Sequence, residues 1–185
     1  VDAVWSLSKF DDVAVLNFAS AKNPGGGFLN GAMAQEESLA TASGLYDTLL
    51  ANEIYYTTNR QNSSMMYSDL AIFSPNVVFF RDGKFNLLAP YTTASVLTIP
   101  AVNYGQVLLK KEDAQQAKNV MQHRMRLVLA ILAAKGCSHI ILGAYGCGVF
   151  RNDPQEVANW WRMLLAEGYG TFFTQILFAV FDNSK

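Results

Sequence analysis

The sequence predicts an α/β fold in which helices pack against a mixed β-sheet. Short and nearly continuous apolar runs, typical of strands buried on both faces, alternate with longer segments of helical periodicity. Two glycine-rich loops directly follow such apolar runs, as ligand-binding loops do at the carboxyl ends of strands in α/β folds. With 185 residues, no internal repeat and no Pro/Gly/Ser-rich linker, the chain is predicted to form one domain.

The first half of the chain predicts a strand, a glycine loop and a helix in succession. Val13 to Ala19 is the predicted buried strand, and Lys22 to Gly27 is the loop that follows it. The segment from Met33 to Leu50 is rich in Ala, Leu and Glu with apolar residues at helical spacing, so it is predicted as one helix. Residues 59–64 are polar and are predicted to form a loop.

The middle of the chain predicts short strands, at residues 70–73, 77–80 and 96–99. Proline lacks a backbone N–H and is uncommon inside a central strand. Pro75, Pro90 and Pro100 are therefore expected to interrupt these strands.

The second half predicts helices and strands in alternation. The predicted helices cover residues 112–135 and 154–167, and the predicted strands cover residues 139–144 and 172–181. Asp153 is a favourable N-cap before Pro154, which suits the first helical position. Gly136 and Gly168 are the expected C-terminal stops of the two helices.

The composition excludes several classes of protein. Apolar residues make up 51% of the chain and charged residues only 16%, so a disordered chain is excluded. The net charge of −1 argues against a DNA-binding protein, which would need a basic excess to neutralise phosphates. The longest unbroken apolar run, Leu127 to Ala134, is shorter than the roughly 20 residues that span a bilayer.

The two cysteines are predicted to be reduced thiols of a cytoplasmic protein. The predicted strand between Cys137 and Cys147 would hold their Cα atoms farther apart than the ~7 Å that a disulfide tolerates. With two histidines and no cysteine pair at a metal-binding spacing, no zinc site is predicted, and no cofactor is expected.

The loop Gly25-Gly26-Gly27 is the first candidate ligand-binding element. Consecutive glycines leave the backbone N–H groups open to close approach, and the N-terminus of the following helix favours an anion such as a diphosphate. The loop is not a Walker A motif, and Asn30 occupies the third glycine position of the dinucleotide fingerprint. The alternative interpretation is a flexible connection between a strand and a helix.

The run Gln35-Glu36-Glu37 places two carboxylates in the first turn of the following helix. Successive helical residues point about 100° apart, so the two acids cannot attack one atom but can serve neighbouring groups of one sugar. The alternative interpretation is that both acids complement the helix dipole.

The second glycine loop, Gly143 to Phe150, combines small residues with aromatic ones. Tyr145 and Phe150 would either contact a base or a ribose, or belong to the core. Cys147 lies between two glycines, and neither histidine is predicted in a loop where it would activate the thiol. Cysteine nucleophilic catalysis is therefore not expected.

Together the two motifs resemble those of bacterial-type poly(ADP-ribose) glycohydrolases. The similarity rests on three glycines, a seven-residue spacer and Gln35-Glu36-Glu37, and on the second loop followed by Asn152-Asp153-Pro154. It implies a three-layer α/β/α macrodomain, spanning residues 1–185, that binds ADP-ribose. It further implies metal-independent hydrolysis of ribose–ribose O-glycosidic bonds in poly(ADP-ribose) on modified proteins, with ADP-ribose as the product.

The same resemblance implies a role for each matching residue. Glu37 would be the catalytic acid and base, Glu36 would orient the hydroxyls of the sugar under attack, and Gln35 would support the loop. Phe150 would press on the distal ribose. The other implied substrate-binding residues are Gly25, Gly26, Gly27, Gly146, Cys147, Gly148 and Val149.

Two other functions remain open from the sequence. One is a module that binds ADP-ribose without hydrolysing it, and the other is a hydrolase for a different ADP-ribosyl linkage. The intact acid pair favours an enzyme, since a binding module needs no carboxylate beside an anionic ligand. Neither DNA nor a membrane is an expected partner. Bacterial members of the resembled family have more sequence before the first strand, so part of the adenine-binding wall is expected to precede Val1.

Overall fold

The computed structural model describes residues 1–181 and contains a five-stranded mixed sheet. The strands are β1 (Val13–Ala19), β2 (Ile72–Arg81), β3 (Leu87–Pro100), β4 (His139–Leu142) and β5 (Gln175–Phe178). Their order across the sheet is β2-β3-β1-β4-β5. β2 is antiparallel to β3, and the other neighbouring pairs are parallel.

Helices cover both faces of this sheet. They are α1 (Asp2–Ser6), α2 (Gln35–Ala42), α3 (Leu45–Leu50), α4 (Glu53–Gln61), α5 (Tyr104–Leu109), α6 (Ala114–Ala134) and α7 (Pro154–Ala166). Short 3₁₀ helices cover Phe28–Asn30 and Tyr169–Phe172. Within residues 1–181, no helix combines the length and the hydropathy needed to cross a membrane.

The alternation of β1 side chains divides the interior into two hydrophobic cores. Ala14 and Leu16 belong to the core formed with α5, α6 and α7. Val13 and Val15 belong to the core formed with α1 to α4. Because successive residues of a strand face opposite sides of the sheet, one apolar strand supplies both cores. The predicted α/β class with three layers and a mixed sheet is confirmed.

The parallel arrangement of β3, β1 and β4 brings their carboxyl ends to one edge of the sheet. β1 is paired with β3 from Ala14↔Ser95 to Ala19↔Pro100, and with β4 from Val13↔His139 to Val15↔Ile141. The loops that leave these three strands therefore begin side by side.

The predicted helix over 33–50 is wrong in its continuity, because the chain forms α2 and α3 with a break at Ser43 and Gly44. Ser43 is extended and forms an isolated bridge with Phe79 of β2. The Gly44 N–H donates to the Val78 carbonyl at 3.0 Å. Pairing with an edge strand satisfies backbone groups that a continuous helix would have satisfied internally.

The predicted interruption of the middle strands by proline is wrong for Pro75 and Pro90, whereas Pro100 ends its strand as predicted. Pro75 lies where the register of edge strand β2 shifts, between Ser74 and Val77, and the strand continues past it. Pro90 lies in the outer part of β3, beyond the segment that pairs with β1, and Pro100 is the last residue of β3. Proline is tolerated at these positions because they demand fewer ladder hydrogen bonds.

Several shorter elements also differ from the prediction. The polar stretch 59–61 belongs to α4, where the buried Asn59 side chain donates to the Tyr55 carbonyl at 2.9 Å. Helices α1, α4 and α5 were not predicted. The last strand covers Gln175–Phe178 only, since Tyr169–Phe172 forms a 3₁₀ turn.

The predictions for the two long helices are confirmed apart from their exact ends. Asp153 caps α7 by accepting hydrogen bonds from the backbone of Gln155 at 2.7 Å and Glu156 at 3.2 Å. Gly136 follows α6 in the left-handed region, with φ of +73°. The strand predicted at 139–144 is confirmed at His139–Leu142. Both cysteines are free, as predicted.

Candidate functional site

A cleft of about 450 Å³ opens at the carboxyl ends of β1, β3 and β4. It joins the glycine loop after β1, the N-terminus of α2 and the second glycine loop. The candidate residues that line it are Gly26, Gly27, Gln35, Glu36, Glu37, Gly146, Gly148, Val149 and Phe150. Gly25 and Cys147 belong to the same loops but do not line the cleft. The topology thus brings together two motifs that are more than a hundred residues apart.

Gln35 fixes the start of α2 to the end of β1. Its Nε2 donates to the Leu16 carbonyl at 2.8 Å, and its Oε1 accepts from the Phe18 N–H at 2.8 Å. One side-chain amide therefore satisfies a backbone donor and a backbone acceptor two residues apart on the strand. These two bonds fix the position of the helix start relative to the strand that precedes the glycine loop.

Glu36 is buried at the end of β1, with only 3% of its surface exposed. Its Oε2 accepts from the Ser20 N–H at 2.6 Å, and its Oε1 accepts from Asn17 Nδ2 at 3.3 Å. Burial raises the pKa of Glu36 to about 7, against the opposing effect of these hydrogen bonds, and the nearby Glu37 carboxylate raises the pKa further.

Glu37 is held with one oxygen on the glycine loop. Its Oε1 accepts from the Gly27 N–H at 2.8 Å, and 8% of the residue is exposed. Within residues 1–181, its Oε2 makes no hydrogen bond, so this oxygen is available to a bound molecule. The protein thus donates hydrogen bonds to both carboxyl oxygens of Glu36 but to only one carboxyl oxygen of Glu37 among the described residues.

Gly26 is required for the close approach of these carboxylates to the loop. Its φ is +63°, and a Cβ atom at this position would overlap Glu37 Oε1 and lie 3.1 Å from Glu36 Oε2. A side chain at this position would therefore strain the backbone and displace the Glu37 carboxylate from the loop.

The second loop is shaped by Gly146 and Asn152. Gly146 has a φ of +73°, and a Cβ there would lie 2.6 Å from the Ala101 Cβ. The Asn152 side chain donates to the carbonyl groups of Val102 at 2.8 Å and Gly146 at 3.0 Å. These bonds join the loop after β4 to the loop after β3, and they leave Val149 and Phe150 at the cleft.

Tyr145 and Cys147 take no visible part in the cleft. Tyr145 is fully buried and its hydroxyl donates to the Ile99 carbonyl at 3.1 Å, so the core interpretation is confirmed for this residue. Burial raises the pKa of the Cys147 thiol to about 11, with a smaller contribution from the Asp153 carboxylate. A thiol with a raised pKa is a poor nucleophile at neutral pH, which agrees with the sequence analysis.

Asn17 and Ser20 are residues to which the sequence analysis assigned no role toward Glu36. Asn17 is fully buried and also donates from Nδ2 to Thr98 Oγ1 at 3.2 Å. A lone amide within an otherwise apolar strand was the available signal, since buried polar side chains need partners. Ser20 contributes through its backbone N–H, which leaves no trace in the sequence.

A second cavity, of about 550 Å³, lies between α7 and β5. Its lining is mainly apolar and includes Val157, Trp161 and Leu165, with Arg162 as a charged residue. It contains neither carboxylate of the acid pair, so the cleft at the strand ends is the better candidate site. Among residues 1–181, no group of three or more His, Cys, Asp or Glu side chains could hold a metal ion.

Comparison with known proteins finds similarity to poly(ADP-ribose) glycohydrolases both in a family model and in solved structures. The family model for the microbial-type PARG catalytic domain matches residues 1–82. A crystal structure of poly(ADP-ribose) glycohydrolase from Deinococcus radiodurans with ADP-ribose is 46% identical, with a TM-score of 0.93 over 99% of this chain and 74% of that chain. The Thermomonospora curvata enzyme is 41% identical, with a TM-score of 0.94 over 98% of this chain and 68% of that chain. No curated protein sequence matches this chain significantly.

Proposed function

Since the chain belongs to the microbial-type poly(ADP-ribose) glycohydrolase family, we propose that it hydrolyses ribose–ribose O-glycosidic bonds of poly(ADP-ribose) and releases ADP-ribose. The observation that carries this proposal is Glu37, a buried carboxylate at the cleft with one oxygen held by Gly27 and the other available. The ADP-ribose bound to the Deinococcus radiodurans enzyme supports the same class of ligand for this cleft.

The cleft suits a diphosphate because of backbone groups rather than cations. Among the described residues that line it, none is Lys or Arg. The N-terminus of α2 carries a partial positive charge, and glycines of both loops let backbone N–H groups approach the phosphates closely. We assign Gly26 and Gly27 to the distal ribose and the adjoining phosphate, and Gly146, Gly148 and Val149 to the diphosphate. Gly25 and Cys147 do not line the cleft, and in this assignment they contribute to the shape of the same two loops.

Glu37 performs the proton transfers of the proposed reaction. Its protonated carboxyl group donates a proton to the departing ribose 2′-oxygen as the bond from this oxygen to the anomeric carbon breaks. The positive charge that develops on the sugar is stabilised by the nearby diphosphate of the substrate. The Glu37 carboxylate then takes a proton from water as the hydroxide adds to the anomeric carbon, which restores the acid. Each step is thus assigned to this side chain, water or the substrate.

Glu36 and Phe150 orient the sugar in this proposal. Glu36 lies at the floor of the cleft, where its carboxyl group can accept from the ribose hydroxyls in addition to its protein partners. Phe150 lines the same cleft from the loop after β4 and holds the distal ribose against the acid pair. Because the rate depends on the angle and distance between Glu37 and the glycosidic oxygen, both residues contribute through geometry.

The substitution Glu37→Gln tests the proposal. It keeps the shape and the hydrogen bond to Gly27 but removes the transferable proton, so we expect a loss of at least ~10²-fold in turnover with ADP-ribose binding retained. Turnover is measured as ADP-ribose released from auto-modified protein carrying poly(ADP-ribose), and binding is measured by calorimetry. Glu53→Gln is the matched control, because Glu53 is an exposed acid in the first turn of α4.

Two outcomes would contradict the proposal. Unchanged turnover in Glu37→Gln would remove Glu37 from the mechanism. A wild-type protein that binds ADP-ribose but releases none from the polymer would be a binding module or a hydrolase of another ADP-ribosyl linkage.

We also propose that residues 1–185 act as a single catalytic domain on polymer attached to modified proteins in the cytoplasm. The shared sheet and the two cores across it support one domain. The free thiols of Cys137 and Cys147 support a reducing compartment, and the net charge of −1 supports a partner other than DNA.

A further inference from the structure

The ring of Phe150 has an aromatic neighbour outside the cleft. Tyr67 and Phe150 have ring centroids 6.1 Å apart and planes inclined at 45°. Phe150 lines the cleft, whereas Tyr67 does not, and both residues are half-buried. The distance lies within the range of favourable aromatic pairs. Tyr67 therefore contacts Phe150 from outside the cleft.

The backbone of Tyr67 is held in an unusual conformation by a buried arginine. Its φ is +60°, which is uncommon for a bulky residue. Arg124 of α6 is fully buried, and its Nη1 donates to the Met66 carbonyl at 2.8 Å. Its Nη2 reaches the Tyr67 carbonyl at 3.5 Å and lies 2.9 Å from Asp69 Oδ1. A segment that is constrained in this way can serve as a fixed support.

The same arginine connects this segment to the cleft. Arg124 Nη1 also donates to the carbonyl of Pro100, the last residue of β3, at 3.0 Å. The carbonyl of Phe150 accepts from the Gly105 N–H at 3.0 Å, in the segment that follows β3. Tyr67 is thus supported from the last residue of β3, and Phe150 from the first turn of α5, the next element along the chain.

We propose that Tyr67 is a positioning residue that fixes the ring of Phe150 against the distal ribose; this inference rests on the function proposed above. Without the Tyr67 ring, the Phe150 ring gains space to turn away from the cleft. The backbone contacts to the diphosphate would remain, but the glycosidic bond would no longer be held in line with Glu37. Loss of Tyr67 therefore lowers kcat more than it weakens substrate binding.

The test compares Tyr67→Ala, Tyr67→Leu and Tyr67→Phe with the wild type. We expect Tyr67→Ala to lower kcat by about tenfold or more, since a misplacement of about 1 Å can cost about 10²-fold, with KM changed less than about threefold. Tyr67→Leu fills the space without a planar ring and should also be slow, whereas Tyr67→Phe should recover most of the rate. Tyr91→Ala is the matched control, because Tyr91 is 66% exposed and lies in the outer part of β3.

A double-mutant cycle with Phe150 separates positioning from a general structural effect. If Tyr67 acts through Phe150, the Tyr67→Ala change costs nothing further in a Phe150→Ala background. Wild-type kcat in Tyr67→Ala, or fully additive losses in the double mutant, would overturn the inference.

A second readout keeps the inference testable if the proposed function fails. The N–H groups of Arg151 and Asn152 donate to the carbonyl groups of Gly148 at 3.0 Å and Gly146 at 3.1 Å. We expect faster amide hydrogen exchange at these two positions in Tyr67→Ala. Absence of hydrolysis by the wild type would refute the proposed function, and unchanged exchange in that case would refute the positioning role as well.

Discussion

Glu36 and Glu37 are adjacent and chemically identical, yet the fold gives them different surroundings. The turn of about 100° between successive helical residues directs Glu36 to the end of β1 and Glu37 to the glycine loop. Glu36 accepts hydrogen bonds from Ser20 and Asn17, whereas Glu37 accepts one from Gly27. Their spacing predicted a division of roles, but the available oxygen of Glu37 could be identified only from the contacts.

The raised pKa of Glu36, about 7, predicts a specific dependence of stability on pH. The folded protein holds this proton more tightly than the unfolded chain, whose carboxyl pKa is about 4.5. The stabilisation that comes from the protonated Glu36 carboxyl group is therefore complete below a pH of about 4.5, and it is lost as the pH rises through 7. Relative to Glu36→Gln, the free energy of unfolding of the wild type should fall by roughly 3 kcal/mol from pH 4.5 to 8, since a pKa difference of one corresponds to about 1.4 kcal/mol.

Urea unfolding of both proteins at a series of pH values measures this difference. Glu53→Gln serves as the control, because Glu53 is an exposed acid in the first turn of α4. A constant difference between wild type and Glu36→Gln across the pH range would mean that Glu36 keeps an ordinary pKa in the folded protein.

At the scale of elements, local sequence signals were sufficient to predict a helix or strand whose formation depends on its own residues. The C-terminal stop of α6, the Asp153 cap of α7 and the apolar run of β1 were predicted almost as they occur. Residues 33–50 were not, because Ser43 leaves the helix to pair with Phe79, which is 36 positions away. A helical pattern contains no information about a distant edge strand that competes for the same backbone groups.

The Asp153 cap of α7 allows a direct test at this scale. Its carboxylate accepts from two N–H groups that have no partner within the helix. Asp153→Ala should lower the free energy of unfolding by about 1 kcal/mol, whereas Asp153→Asn should keep most of this capping contribution. Thermal or urea unfolding measures both effects, and equal losses in the two variants would contradict a capping role.

At the scale of the whole molecule, Arg124 connects elements that are far apart in the sequence. From α6 it donates to the Met66 and Pro100 carbonyls and pairs with Asp69. A buried guanidinium is stable only when its N–H groups have partners, and its planar shape can serve several acceptors at once. The residue therefore couples the packing of α6 to the loops beside the cleft.

Removal of this arginine should be costly. Arg124→Met leaves buried carbonyl groups without donors, so we expect a loss of at least about 3 kcal/mol in the free energy of unfolding. Arg124→Lys should recover only part of this free energy, because one ammonium group cannot reach all of the same acceptors at once. The control is Arg126→Met on the same helix, whose half-exposed pair with Glu167 should contribute less than about 1 kcal/mol. Similar losses in Arg124→Met and Arg126→Met, measured by urea unfolding, would contradict this view.

The sequence by itself determined the α/β class, the strand β1, the two long helices and the two loops that carry the candidate site. These features depend on periodicity, caps and glycines within short segments. Only the tertiary structure decided that β2 continues past Pro75 and β3 past Pro90, that Tyr145 is core, and that Asn17 and Ser20 hold Glu36. The physical reason is the same in each case: a strand's neighbours and a buried group's partners come from segments distant in the chain, and no local pattern records them.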